Sequence, residues 1–151
     1  MLRSSLQRKE KSGPQSCPLL IFSVGGRRLA VKTDEIDGIS AWKGSIPVPS
    51  HTPFVSAVVR QDKSVFPVFD LAELLHVTVK GEELLCLTAK HHRGALAICI
   101  DEDMPILHTL DTAAIQAYRG GEFEAVGSFA NGFDQIPIIS LAKLGSVKDA
   151  I

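Results

Sequence analysis

The chain has 151 residues, 45% of them hydrophobic and 22% charged, with Lys+Arg 16 against Asp+Glu 17 and a net charge of −1. That balance offers neither a basic footprint for nucleic acid nor a polybasic contact for a membrane surface. At this length about two thirds of the unfolded surface is buried on folding, so one domain or two small, closely packed ones is expected. No run approaches the ~20 apolar residues of a membrane span. Of three cysteines, Cys86 and Cys99 sit in apolar strand-like runs, so no disulfide framework is expected and the compartment reads as cytosolic.

Residues 1–16, MLRSSLQRKEKSGPQS, hold Arg3, Arg8, Lys9 and Lys11 against Glu10 and no apolar run. They read as a disordered basic tail rather than a signal peptide or lipoprotein leader. LLIFSVGGRRLAV then gives two strands, 19–24 and 27–31, joined by Gly25-Gly26, a pair free to take positive φ. In TDEIDGISAW, Gly38 with β-branched Ile36 and Ile39 favours a turn and then a strand over a helix. Pro47, Pro49 and Pro53 hold a loop open until FVSAVV and VFPVF form a second strand pair across QDKS. Asp70 opens the short helix LAELL, and Glu73 three residues on matches a capping box.

The second half repeats this order. LLCLTA and GALAICI form a hairpin across KHHR, and MPILHT supplies the next strand. DTAAIQAY reads as a helical insertion capped by Asp111 or Thr112; FEAVGSFA, the turn ANGFD, IPIIS and a last helix follow. FPVFDLAEL at 66–74 and IPIISLAKL at 136–144 match in register, 137 − 67 = 70 positions apart, and LAVKTDE matches LAICIDE at an offset of 67. Each half therefore holds about five strands and ends in a strand with an internal proline and a short helix. Without βαβ alternation this suits two small closed or nearly closed barrels, meeting near residues 76–84. Pro67 and Pro137 then mark an edge, or a point where a strand leaves its neighbour.

Residues able to carry chemistry are sparse. His91-His92 point to opposite sides of an extended chain, with no further ligand at metal spacing, and read as an exposed turn. GGRR and YRGGE lack the context of a phosphate loop, and His51, His76 and His108 have no evident nucleophile or orienting carboxylate. The acidic run 101–103 reads as a solvated face. Trp42, the sole tryptophan, sits at the mouth of the proline-rich loop, where core use is preferred over an exposed contact. No catalytic residue, metal site or cofactor is expected.

Taken together, LLIFSVGGRRLAVKTDEIDGIS, TPFVSAVVRQDKSVFPVFDLAELL, GALAICIDEDM and AVGSFANGFDQIPIISLAKL resemble the CheW-like family, the adaptor modules of bacterial chemosensory arrays. The resemblance covers about residues 19–147. It implies a mainly β fold, two similar five-stranded SH3-like barrels packed side by side with short helices, within a domain spanning 17–147. The first barrel is expected over about 17–78 and the second over about 83–147. It also implies a non-enzymatic scaffold, one barrel docking on the regulatory domain of a CheA-type histidine kinase and the groove between barrels holding a chemoreceptor tip. On that basis Ile36, Ile39 and Val58 are candidate apolar contacts, with Arg60 and Asp62 setting polarity at the groove edge. The chain departs from the family where Asn-Leu-Arg-Gly is usual and Arg60-Gln61-Asp62-Lys63 stands here, and where Gly38-Ile39 replaces Glu-Ile. Rival readings are a regulator or decoy that does not couple the usual kinase, a small-molecule sensor with a roomy cavity, and an enzyme with convergent titratable groups.

Overall fold

Gly25 and Gly26 take φ of 62° and 86°, so β1 (Ser16–Val24) folds back on β2 (Arg27–Lys32) in two residues. These belong to a computed structural model that describes residues 16–61, 63–91, 94–118 and 125–141. The basic tail through residue 15, Asp62, His92 and the last helix, beyond Leu141, lie outside the described residues. A single 3₁₀ turn, Thr33–Glu35, leads into β3 (Ile36–Ala41). The short β4 (Ile46–Pro47) follows, then β5 (Val55–Gln61) and β6 (Ser64–Phe69). Helix α1 (Leu71–Leu75) begins at Asp70, whose Oδ1 accepts from the Glu73 N–H at 3.0 Å. The capping box is half made, because the Asp70 N–H donates to the Phe54 carbonyl instead. The second half supplies β7 (Leu85–His91), β8 (Gly94–Ile100), β9 (Ile106–Asp111), β10 (Gly127–Asn131) and β11 (Asp134–Ile139). Where DTAAIQAY predicts a helix, the chain makes one 3₁₀ turn, Thr112–Ala114, capped by Asp111, and returns to extended backbone at Ile115.

The strands form two sheets. One has the order β10-β11-β2-β1-β9, the other β3-β7-β8-β6-β5-β4. The expected division into barrels 17–78 and 83–147 is thereby corrected: each barrel takes the leading hairpin of one half and the later strands of the other. Barrel I combines β1-β2 with β9, β10 and β11, and barrel II combines β7-β8 with β3 to β6. The physical reason lies in the parallel contacts β11 with β2 and β6 with β8. A parallel pair needs a crossover of a dozen or more residues, which adjacent hairpins cannot provide, so β6 reaches β8 through α1 and β7.

The duplication survives this exchange. Every pairing from Ala57↔Val68 to Gln61↔Ser64 recurs 70 positions later, from Gly127↔Ile138 to Asn131↔Asp134. The hairpins recur 67 positions apart, Val24↔Arg27 matching His91↔Gly94. Both sheets end alike: Ile46 pairs with Val58 at the edge of one and Gln116 bridges Ser128 at the edge of the other. Pro67 and Pro137 each stand one residue before the parallel ladder, which starts at Val68↔Ala97 and Ile138↔Ala30. Neither lies on an edge strand; each marks the point where a strand takes on its second neighbour, which is where a missing donor is tolerated.

Three apolar clusters follow from alternation along the hairpins. Leu19 and Ile21 join Phe129, Ile136 and Ile138 inside barrel I. Val59, Val68, Cys86 and Ala97 fill barrel II. The opposite hairpin faces, with Leu20, Phe22, Leu87 and Ile98, meet Leu71, Leu75 and Leu141 in the largest cluster, which lies between the barrels. A hairpin buried on both faces belongs to two cores at once.

Candidate functional site

Ile36 and Ile39 are three positions apart and would point to opposite faces of a regular strand. A register shift between Ile36 and Gly38 alters that: Ile36 lies opposite Ala89 and Ile39 opposite Leu87. Both therefore share the face that Leu87 and Ala89 turn toward the inter-barrel cluster. Ile36 packs against this cluster, while Ile39 is 36% exposed.

On β5, Val59 points into barrel II, so Val58 and Arg60 point outward. Val58 is half-buried between Pro67 and Ile46, and exposed Arg60 faces Val65. Ile46 and Val65 are themselves 57% and 59% exposed. Four of the five candidates are thus on barrel II, in two pairs on β3 and β5, and Asp62 lies outside the described residues. Sequence reasoning missed Ile46, Val65 and the wholly exposed Phe133 in the β10–β11 turn. The available signals were large apolar residues just ahead of Pro47 and Pro67 and an aromatic beside Asn-Gly.

The ends of β3 and β5 are tied by a hydrogen bond from Gln61 Nε2 to Ser40 Oγ at 2.5 Å. Below it opens a cleft of about 270 Å³ that Trp42, Val59, Arg60 and Cys86 help to line. Trp42 is half-buried against the barrel II cluster, in line with core use. Burial raises the pKa of the Cys86 thiol, offset in part by a hydrogen bond with Ser40. Burial, then Cys86, Asp70 and Asp101, push Cys99 up to about 12. Both cysteines are free thiols and behave as small apolar groups.

The acidic run at 101–103 is not the solvated face its composition suggests. Asp101 is 2% exposed and accepts three backbone hydrogen bonds at 2.8 Å, from Gly25, Gly26 and Lys80. Glu102 accepts from Glu82 and Glu83. These carboxylates clamp loops. Among the described residues no group of three or more His, Cys, Asp or Glu is placed to hold a metal ion, and no helix is long and apolar enough to cross a membrane.

Comparison with known proteins bears directly on this architecture. The family model of the CheW-like domain matches residues 18–147. Among solved structures, the chain is similar to the crystal structure of the scaffolding protein TtCheW from Thermoanaerobacter tengcongensis, with a TM-score of 0.75 and 14% sequence identity. That likeness covers 87% of this chain and 89% of the other. A comparison with curated proteins found no match. The mainly β fold of two similar barrels is thus the fold the resemblance implied, and with the family model matched over nearly its whole length the chain belongs to the CheW-like domain family.

Proposed function

We propose that the protein is a non-enzymatic adaptor of a cytoplasmic chemosensory array, coupling chemoreceptors to a CheA-type histidine kinase. The observation behind this reading is the outward face of β4, β5 and β6, where exposed Ile46 and Val65 flank Val58 and Arg60 on a rigid two-barrel body. Apolar side chains around one cation, fixed on paired strands, fit a protein contact better than a reaction centre. Family membership supports the scaffold role, and exposed Phe133 supplies a second apolar projection on barrel I. Ile36 and Ile39 form the apolar edge available to a receptor helix.

The departure at Asp62, where the family usually carries arginine, supports a second reading: a CheW-like regulator or decoy with weakened coupling. Titration of the full chain against a purified kinase regulatory domain and a receptor fragment separates the two. For the adaptor, both partners bind, and Val58→Asp with Arg60→Glu weakens binding by about tenfold or more while thermal stability holds. For the decoy, wild-type binding is weak and Asp62→Arg strengthens it. Tight binding indifferent to all three substitutions would remove this face from the contact.

A further inference from the structure

At three equivalent places in the repeat barrel II holds smaller side chains than barrel I, although Trp42 and Phe66 also pack against its cluster. In barrel I, Leu19 lies opposite His108 across β1 and β9, and the His108 ring stacks on Phe129 with centroids 5.5 Å apart and planes 10° from parallel. Leu19 and Phe129 are completely buried. The same three positions in barrel II hold smaller side chains. Cys86 stands 67 positions after Leu19, Ser40 faces Cys86 as His108 faces Leu19, and Val59 stands 70 positions before Phe129. One aromatic stack and one leucine are thus replaced by a hydroxyl, a thiol and an isopropyl group. The cleft of about 270 Å³ lies at this place, with Ser40, Val59 and Cys86 in its lining.

The rest of the lining indicates what would fill it. Trp42 contributes an indole and Lys43 a cation, with no carboxylate among the described residues that line the cleft. Val59 and the protonated thiol of Cys86 make an apolar floor. A flat ring would add to the packing at these positions, and an attached anion would meet the Lys43 cation. We propose that this cleft binds a small aromatic carboxylate, its ring against Val59, Cys86 and Trp42 and its carboxylate on Lys43. The site stands independently of the adaptor reading.

Trp42, the sole tryptophan, reports on occupancy directly. The full chain is titrated with phenylacetate by intrinsic fluorescence and calorimetry, with benzyl alcohol as the uncharged ring and acetate as the ringless anion. Phenylacetate is expected to saturate one site per chain, with both controls about tenfold or more weaker. Val59→Phe, which installs the barrel I residue, abolishes binding with the β-sheet circular dichroism retained. Ser40→Leu occludes the cleft from the other wall and serves if Val59→Phe does not fold. Lys43→Gln weakens phenylacetate by about threefold or more and leaves benzyl alcohol unchanged. Absence of saturable phenylacetate binding at millimolar concentration overturns the proposal. So does binding that both cleft-filling variants leave intact.

Discussion

Asp101 shows how much a single buried carboxylate can organise when its partners are backbone donors. Its two oxygens take N–H groups from the β1–β2 turn and from the inter-barrel connection, and its own N–H donates to the Ser23 carbonyl at 2.9 Å. Asp34, its counterpart 67 positions earlier, is exposed. Both follow a lysine- or isoleucine-ended strand with similar flanks, so composition gave no means of telling them apart; the difference arises from which turn lies overhead. Asp101→Ala leaves three donors without an acceptor and should cost about 3 kcal/mol or more. Asp101→Asn, which keeps one acceptor oxygen, should cost about 1–2 kcal/mol. Lys80→Ala should be nearly neutral, because only the backbone of Lys80 is used. Urea unfolding midpoints measure all three, and equal losses for Ala at 101 and Ala at 80 would refute the clamp.

At the scale of elements, the hairpins and the 70-residue recurrence were legible because local chemistry fixes them. Gly25-Gly26 dictates a two-residue turn, and proline at equivalent places reflects an equivalent change of strand neighbour. What was not legible depends on contacts between distant segments. The order of strands cannot reveal that β2 lies beside β11, and alternation alone separates Ile36 from Ile39 until the register shift near Gly38 reunites them. DTAAIQAY carries helix formers, yet Gln116 is drawn into a bridge with Ser128, exchanging two backbone hydrogen bonds of 2.8 Å on the outer edge of β10. The two turn glycines also differ in a way only packing defines. A Cβ on Gly25 would stand 2.5 Å from Val77 Cβ and 3.0 Å from the Thr78 carbonyl, whereas one on Gly26 meets the mobile end of Lys80. Both need positive φ, at about 1 kcal/mol for alanine. Gly25→Ala should therefore cost about 2 kcal/mol or more and Gly26→Ala about half as much, read from thermal or urea melts. A reversed ranking would show that φ, not the Val77 contact, governs the turn.

For the whole molecule, exchange of hairpins makes the two barrels a single cooperative unit. The largest cluster draws on β1, β2, β7, β8 and α1 together, so neither half of the chain contains it. A fragment of residues 16–80 keeps β1-β2 without β9 to β11, and one of residues 81–151 keeps β7-β8 without β3 to β6. Each alone should lack a cooperative urea transition, and mixing them should restore native β-sheet circular dichroism. A fragment that unfolds cooperatively by itself would show that its barrel closes without the other half. The exchange also bears on descent. A chain carrying one repeat would own a hairpin with no ring to enter and strands with no hairpin to complete them, so its smallest closed form is a symmetric pair of chains trading hairpins. Fusion of two such chains through residues 76–84 makes the trade internal, replacing a dependence on protein concentration with the fixed proximity of a tether. Once joined, two such copies need not stay alike, and the His108–Phe129 stack of one barrel has a hydroxyl and an isopropyl group at its place in the other.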